Sequence, residues 1–253
     1  MKAMILAAGL GTRLRPLTDD CPKALVEVSG RTLLEIALCR LKTFGVTEVI
    51  VNTHHFADLV AGYLHSKKNF GMRIEVSCEE VLLDTGGGLK RAASFFLQTG
   101  TNAVDAEAPF LLHNVDVLSN IDLGRMICFH VEQNALATLA VQQRPSSRCL
   151  LFDEHGQLCE RKAGRDAEAE WARPAQPVQE LAFSGIHVLS PRFLVKMSEE
   201  GAFSILAPYL RLAGTGEKIM AFRADGSYWR DLGRPESIAQ AAEDMGNGTY
   251  PVV

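Results

Sequence analysis

The chain has 253 residues, of which 47% are hydrophobic and 22% are charged, with a formal net charge of -4. This composition is typical of a globular protein with a buried core, and the length fits one large α/β domain or two small ones. The negative charge argues against general nucleic-acid binding, because no overall positive field attracts a phosphate backbone. No run is long enough to span a bilayer, and the apolar run at 4–6 is too short for a secretion signal.

Cysteine usage points to a reducing compartment. Six cysteines are scattered without a C-x-x-C pair or a matching histidine spacing. A disulfide framework is not expected in a chain of this length without a secretion signal, and no zinc-ligand pattern is present. We therefore expect reduced thiols and a cytoplasmic protein with no membrane or nucleic-acid partner; a homodimer is left open.

The first predicted element is a short buried strand, Met4-Ile5-Leu6, which runs into a glycine turn. Gly9 and Gly11 let the backbone approach a ligand closely, and successive N–H groups in such a turn form an anion site. The loop that follows carries three positive charges: Arg13, Arg15 and Lys23. Arginine offers phosphate a planar fork and lysine a compact charge, so this stretch predicts a polyphosphate site. The alternative is a surface loop that happens to be basic.

Two familiar phosphate-binding motifs do not fit this loop. A dinucleotide-binding turn, G-x-G-x-x-G, needs a glycine where Leu14 stands, which argues against a Rossmann oxidoreductase. A P-loop needs a lysine directly after its last glycine, and none follows Gly11.

Strand and helix patterns alternate through the first half of the chain. The predicted elements there are a strand over 24–28, a helix over 32–44, a strand over 49–51, a helix over 56–64, a strand over 73–78, a helix over 86–96 and a strand over 109–112. This alternation predicts a parallel sheet covered on both faces, with ligands at the carboxyl ends of the strands. Further predicted elements are a strand over 135–142, a hairpin over 149–159, a mobile or exposed loop over 163–179, a strand over 181–189, a helix over 204–213, a strand over 218–223 and a helix over 235–244.

Asp116 and Asp231 each follow a predicted strand. A carboxylate that faces a polyphosphate there would ordinarily hold Mg²⁺, which combines a few carboxylates with phosphate oxygens. The alternative for Asp116 is a cap on the next element, and for Asp231 a cap on the helix that Pro235 opens. His113, just before the first aspartate, is expected to be a packed strand residue.

Three glycines, Gly86-Gly87-Gly88, open a predicted helix. Bare backbone at a helix N-terminus would let a flat base lie against it and be read by N–H and C=O groups. Glu79, at the end of its strand, is the expected neighbour. The alternative is a flexible helix start.

The motif Gly9-x-Gly11-Thr12-Arg13-Leu14-Arg15-Pro16, with Pro22-Lys23, resembles the signature of the sugar-1-phosphate nucleotidyltransferases. The resemblance covers nearly the whole chain, because further family segments follow in order: Thr85-Gly86-Gly87, Asn114-x-Asp116, Phe183-Ser184-Gly185-Ile186 and Asp231-x-Gly233. The triple glycine and the short length are most similar to the bacterial N-acetylmuramate-1-phosphate uridylyltransferases and the small mannose-1-phosphate guanylyltransferases.

The resemblance implies an α/β fold: a Rossmann-like, mixed but mainly parallel central sheet with helices on both faces, and a small β-hairpin excursion over the sugar site. It implies a single nucleotidyltransferase domain over 1–253, with 1–120 mainly binding the nucleotide and 121–253 mainly binding the sugar phosphate. The implied reaction joins an NTP, UTP or GTP foremost, to a sugar 1-phosphate and releases pyrophosphate, with Mg²⁺ as cofactor. The nucleotide sugar would supply cell-envelope polysaccharide.

The resemblance also implies roles for individual residues. Arg13 would hold the departing pyrophosphate, Lys23 would neutralise the α-phosphate or the attacking sugar phosphate, and Asp116 completes the catalytic set. The implied Mg²⁺ ligands are Asp116 and Asp231. The implied nucleotide-binding residues are Leu6, Ala7, Ala8, Gly9, Gly11, Thr12, Arg13, Glu79, Gly86, Gly87 and Asn114. The implied sugar-phosphate ligands are Lys162 and Gly185.

The chain departs from the family pattern at two points. Glu160-Arg161-Lys162-Ala163 lacks the proline of the family's Glu-Lys-Pro segment, and Val115 replaces a smaller residue before the aspartate. A non-catalytic nucleotide-sugar sensor on the same fold is the competing hypothesis. A missing metal aspartate or loop arginine would favour that hypothesis, and neither is missing.

Overall fold

A computed structural model describes residues 1–97, 108–146, 148–163 and 170–250. The chain separates into two compact units that interleave along the sequence. Unit 1 comprises Met1–Asp84, Leu112–Ile121 and Ser227–Val253, and unit 2 comprises Thr85–Leu111 and Asp122–Gly226.

Strands and helices alternate through the described residues. The strands are β1 (Lys2–Leu6), β2 (Glu27–Val28), β3 (Arg31–Thr32), β4 (Glu48–Thr53), β5 (Arg73–Cys78), β6 (Phe110–Asn114), β7 (Val117–Ser119), β8 (Ala137–Gln142), β9 (Arg148–Asp153), β10 (Leu158–Ala163), β11 (Glu170–Trp171), β12 (Val178–Leu189), β13 (Ile219–Arg223) and β14 (Trp229–Asp231). The α-helices are α1 (Leu33–Thr43), α2 (Ala57–Ser66), α3 (Asp84–Arg91), α4 (Ala93–Leu97), α5 (Leu123–Glu132), α6 (Pro191–Lys196), α7 (Leu206–Gly214) and α8 (Pro235–Gly246). In the part of the chain described, no helix is both long and apolar enough to cross a membrane.

The sheet of unit 1 has the strand order β6-β1-β4-β5. β1 runs parallel to β4, and β4 runs parallel to β5. Ala3, Met4 and Ile5 of β1 are completely buried, as expected of a central strand with both faces covered. The register places Leu6 opposite Asn52, so the loop after β1 starts at the carboxyl end of the sheet.

Helix α1 forms where the sequence predicts it, because its start and its stop are both encoded. The Thr32 hydroxyl accepts a hydrogen bond from the Glu35 N–H at 3.1 Å, which caps the helix. Leu34, Leu38 and Leu41 recur at helical spacing and are fully buried.

Unit 2 has the strand order β11-β10-β9-β12, with β8 beside β12 and β13 beside β8. β9 and β10 form the predicted hairpin, whose turn contains Gly156 at φ 75°. The register of β12 against β8 shifts between Phe183 and His187, and Gly185 lies inside this bulge at φ 74°. Glycine tolerates such a positive φ without strain.

The predicted α/β class with a mixed sheet is confirmed, and two local predictions are wrong. Residues 24–28 are not one strand: a 3₁₀ turn, Lys23–Leu25, comes first, closed by the Leu25 N–H to the Pro22 carbonyl at 2.8 Å. The helix predicted over 86–96 is two helices, α3 and α4. Within the loop or exposed excursion predicted over 163–179, residues 170–171 form β11 and β12 begins at Val178, while 164–169 fall outside the described residues.

Candidate active site

The predicted phosphate loop lies directly after β1 in unit 1. Leu6, Ala7 and Ala8 are buried, whereas Gly9, Thr12 and Arg13 are exposed, so the loop emerges from the core at Gly9. Within the described ranges, no backbone N–H of residues 8–12 donates to another protein group. These N–H groups are available to an anion.

Gly11 gives the loop its shape. It adopts φ 64°, and a methyl group added to it would lie 2.9 Å from Cγ2 of Thr18. The Thr18 hydroxyl donates to the Gly11 carbonyl at 2.9 Å, and the Leu14 N–H donates to the same oxygen at 2.8 Å. Leu14 is fully buried and anchors the 3₁₀ turn Thr12–Leu14. The loop is therefore fixed at its base while its polar side chains stay exposed.

The three predicted cations of the loop have different surroundings. Arg15 pairs with Asp19 at 3.3 Å on the exposed surface. Lys23 forms an ion pair with Asp116, in which each side chain is 13% exposed. Arg13 forms no hydrogen bond or ion pair with any residue that the structure describes. Arg13 is thus the cation left available for a ligand.

Asp116 and Asp231 are brought together by the antiparallel pair β7–β14. The register places Asp231 opposite Val117, and the Leu232 N–H donates to the Asp116 carbonyl at 2.8 Å. The two implied Mg²⁺ ligands therefore lie on paired segments of the backbone. Asp231 is the last residue of β14, and the described chain gives neither aspartate the helix-capping role that was the alternative.

Gly233 leaves room for the Arg13 guanidinium beside Asp231, which the sequence pattern does not predict. A methyl group added to Gly233 would lie 2.6 Å from Nη2 of Arg13 and 2.7 Å from Oδ1 of Asp231. The Gly233 N–H also donates to that Asp231 oxygen at 2.8 Å. Glycine at this position therefore lets a guanidinium and a carboxylate approach the same point.

The donor set fits Mg²⁺ when a nucleotide is present. Among the described residues, no group of three or more His, Cys, Asp or Glu side chains could hold a metal ion. Mg²⁺ usually takes one or two protein carboxylates and fills its other positions with water and substrate phosphates. Asp116 and Asp231 supply two carboxylates beside a loop with free N–H groups, which is this pattern.

Glu79 lies inside unit 1 rather than on its surface. Its side chain is 1% exposed, and both carboxylate oxygens accept hydrogen bonds from the protein: Asn52 Nδ2 at 2.7 Å and the Leu83 N–H at 3.0 Å. Because this carboxylate is buried and already bonded at both oxygens, a direct base contact would require the side chain to become exposed. Asn52, which the sequence analysis did not single out, also accepts from the Ala7 N–H at 2.7 Å. Asn114, another predicted nucleotide ligand, is half-buried at the end of β6.

The predicted base-reading glycines lie in unit 2 and have a protein partner. The N–H groups of Gly86 and Gly87 donate to the Phe203 carbonyl at 2.9 and 3.3 Å. A methyl group added to Gly86 would collide with the Phe203 ring and lie 2.9 Å from that carbonyl oxygen. Both N–H groups are thus already hydrogen-bonded within the protein. A nucleotide would have to contact other atoms of these glycines.

The predicted sugar-phosphate residues also lie in unit 2. Lys162 belongs to β10, and Gly185 is buried in the bulge of β12. His113 is a packed strand residue in β6, as expected. Burial, together with the nearby charge of Arg40, lowers its pKa to about 4, so the ring is neutral near pH 7.

A family model described as nucleotidyl transferase matches residues 2–248. The chain belongs to this family. It is 32% identical over 243 residues to the N-acetylmuramate alpha-1-phosphate uridylyltransferase of Caulobacter vibrioides, with 93% of each chain covered. It is 29% identical over 255 residues to the mannose-1-phosphate guanylyltransferase of Mycobacterium tuberculosis, with 98% of this chain and 66% of that relative covered.

A solved structure of a similar fold is that of HddC from Yersinia pseudotuberculosis complexed with GMP-PN. The TM-score is 0.73 at 22% identity, and the match covers 96% of this chain and 98% of that one. At this identity the likeness shows the fold alone. The family resemblance drawn from the loop motif is confirmed, and this nucleotidyl transferase is an enzyme whose sequence relatives are named for nucleotidyl transfer to sugar 1-phosphates.

Proposed function

We propose that this nucleotidyltransferase uses Mg²⁺ to transfer a nucleotidyl group from UTP or GTP to N-acetylmuramate 1-phosphate, mannose 1-phosphate or a related sugar 1-phosphate. The observation that carries the proposal is the cluster in unit 1. Asp116 and Asp231 lie on paired segments, Lys23 pairs with Asp116, and Arg13 and Asp231 both border the space that Gly233 leaves without a side chain.

Asp116 and Asp231 would hold Mg²⁺, which supplies charge neutralisation for the bound phosphates. Lys23 now balances the charge of Asp116. With a divalent cation on that carboxylate, the Lys23 ammonium can turn to phosphate oxygens of the substrates, where a compact cation stabilises developing charge.

Arg13 would hold the departing pyrophosphate. It is the loop cation without a protein partner among the described residues, and its planar fork matches two phosphate oxygens. The N–H groups of residues 8–12 would add neutral donors to the same polyphosphate.

The chain needs no nucleophilic side chain for this reaction. An oxygen of the sugar 1-phosphate attacks the α-phosphorus of the NTP; that P–O bond forms while the bond from the α-phosphorus to the bridging oxygen breaks, and pyrophosphate leaves with the electron pair. A phosphate monoester already carries a nucleophilic oxygen at neutral pH, so positioning and charge neutralisation suffice.

Sequence similarity supports N-acetylmuramate 1-phosphate and UTP as the first pair to test. The chain is 32% and 30% identical to the N-acetylmuramate alpha-1-phosphate uridylyltransferases of Caulobacter vibrioides and Neisseria meningitidis, and 29% identical to the mannose-1-phosphate guanylyltransferase of Mycobacterium tuberculosis. A regulatory, non-catalytic role is not favoured, because Arg13, Lys23 and both aspartates are present.

The test is a matrix of NTPs against sugar 1-phosphates, read by pyrophosphate release with Mg²⁺ and with EDTA. We expect turnover for one pair, dependence on the divalent cation, and UTP with N-acetylmuramate 1-phosphate as the leading pair. Nucleotide binding without turnover for every pair would contradict the proposal and point to a sensor.

A further inference from the structure

A buried amide and a buried carboxylate connect three separate segments of unit 1. Asn52, at the carboxyl end of β4, is 2% exposed, and Glu79, just after β5, is 1% exposed. Asn52 Oδ1 accepts from the Ala7 N–H, Asn52 Nδ2 donates to Glu79 Oε1, and Glu79 Oε2 accepts from the Leu83 N–H. The bridge therefore runs from the start of the phosphate loop to the segment that leads into α3.

The two ends of this bridge fix its chemistry. Ala7 and Leu83 each contribute a backbone N–H, which can only donate. The Asn52 oxygen must face Ala7, so its NH₂ group must face Glu79, and Glu79 must accept at both oxygens. One amide and one carboxylate, one at each position, can form all three bonds, whereas two carboxylates or two amides cannot.

We infer that Asn52 and Glu79 are positioning residues that set the nucleotide affinity of the enzyme by fixing the phosphate loop relative to residues 79–83; this inference rests on the proposed function. The Glu79 carbonyl is itself held by Nδ1 of His54 at 2.7 Å, so the carboxylate has a fixed base. Ala7 immediately precedes the residues whose N–H groups are free for phosphate. A shift at Ala7 therefore changes the polyphosphate site without touching Asp116 or Asp231.

The bridge can be broken and rebuilt with isosteric substitutions. Asn52→Asp places two carboxylate oxygens against each other. Glu79→Gln places an NH₂ group against either Asn52 Nδ2 or the Leu83 N–H. The double variant Asn52→Asp/Glu79→Gln restores every bond, because the new glutamine donates to the new aspartate and accepts from Leu83.

The experiment measures kcat, both KM values, thermal unfolding and amide exchange at Ala7 and Leu83 for the two single variants and the double variant. Each single variant is expected to raise the KM for the NTP about tenfold, since one buried polar group loses its partner. The KM for the sugar 1-phosphate should change less than about twofold, and the double variant should return within about threefold of the wild type.

Thr138→Val is the matched control. The Thr138 hydroxyl bonds Nδ1 of buried His130 at 2.9 Å in unit 2, so its loss removes a buried hydrogen bond away from the loop. This control should lower the unfolding temperature and leave the KM for the NTP unchanged.

The outcomes separate this inference from the proposed function. Single variants that lower the unfolding temperature like Thr138→Val but keep the wild-type KM for the NTP would overturn the inference, as would a double variant worse than either single one. Rescue by the double variant in both amide exchange and KM supports it. Failure of the proposed function appears instead as a wild-type protein without turnover, and the amide exchange still reports whether the bridge exists.

Discussion

Gly233 in unit 1 and Gly86 in unit 2 both stand where another group comes too close for a side chain. At Gly233 the neighbours are the Arg13 guanidinium and the Asp231 carboxylate. At Gly86 they are the ring and the carbonyl of Phe203. The same residue type thus makes room for charges of the proposed active site in one unit and for packing in the other, and the sequence pattern alone does not distinguish the two.

The largest effect on activity is expected at Asp116, which pairs with Lys23 in unit 1. Asp116→Asn should lower kcat by about a thousandfold, because the substitution removes a proposed metal carboxylate and leaves Lys23 without its ion-pair partner. Steady-state pyrophosphate release measures this. Asp122→Asn is the control, since Asp122 caps α5 in unit 2 through the Arg125 N–H and asparagine caps equally well. An equal loss of kcat in both variants would show that the effect is not specific to the proposed site in unit 1.

In unit 2, substitution of Gly86 should lower stability rather than activity. Gly86→Ala is expected to lower the free energy of unfolding by about 3 kcal/mol, because the added methyl group meets both the Phe203 ring and its backbone. Urea denaturation measures the change. Gly62→Ala is the matched control: a methyl group there meets nothing within 4 Å in the middle of α2, and alanine favours helix. A stable Gly86→Ala variant that lost only nucleotide affinity would show instead that this glycine serves the ligand.

A buried histidine of unit 2 should make stability depend on pH. Burial, together with the charge of Arg192, lowers the pKa of His130 from 6.5 to about 4. As pH falls below 6.5, the unfolded chain takes up a proton that the folded protein resists down to about pH 4, so the free energy of unfolding decreases across this window. The full loss amounts to about 3 kcal/mol.

His130→Gln removes that titration, so its free energy of unfolding should change less with pH than that of the wild type. Denaturation across the same window measures the slope. His113 in unit 1 has a similarly lowered pKa of about 4, so its own contribution to the slope should persist in the variant. An unchanged slope would show that His130 does not resist protonation in the folded state. His155→Gln, at an exposed turn, is the control.

The smallest effect is expected at Gly233. Gly233→Ala should raise the KM for the NTP about tenfold with little change in unfolding temperature, because the methyl group meets the side-chain ends of Arg13 and Asp231 rather than backbone. Gly226→Ala is the control, as a methyl group there meets nothing within 4 Å. A fall in stability comparable to that of Gly86→Ala would contradict the contrast between the two glycines.

The sequence was sufficient where the signals are local. The glycine turn after β1, the strand ends near Asp116 and Asp231, and α1 were predicted because each signal lies within a few residues. The phosphate role of the turn and the metal role of the aspartates stay predictions. The roles of Glu79 and Gly86 were not predicted, because their partners Asn52 and Phe203 are distant in the chain and become neighbours only through folding. Residues 24–28 were assigned to a strand because their apolar content outweighed the turn that Pro22 starts.

The β7–β14 pair places one carboxylate of the proposed metal site on β14, the last strand along the described residues. Folding during synthesis proceeds from the N-terminus, so β1 and its loop are available long before Asp231 emerges from the ribosome. A nascent chain in which β6 has formed holds Asp116 with Lys23 alone as its counter-charge. The proposed Mg²⁺ site is therefore complete only once residue 231 has been added, and a product truncated before that residue would retain the loop after β1 with one of the two proposed metal carboxylates.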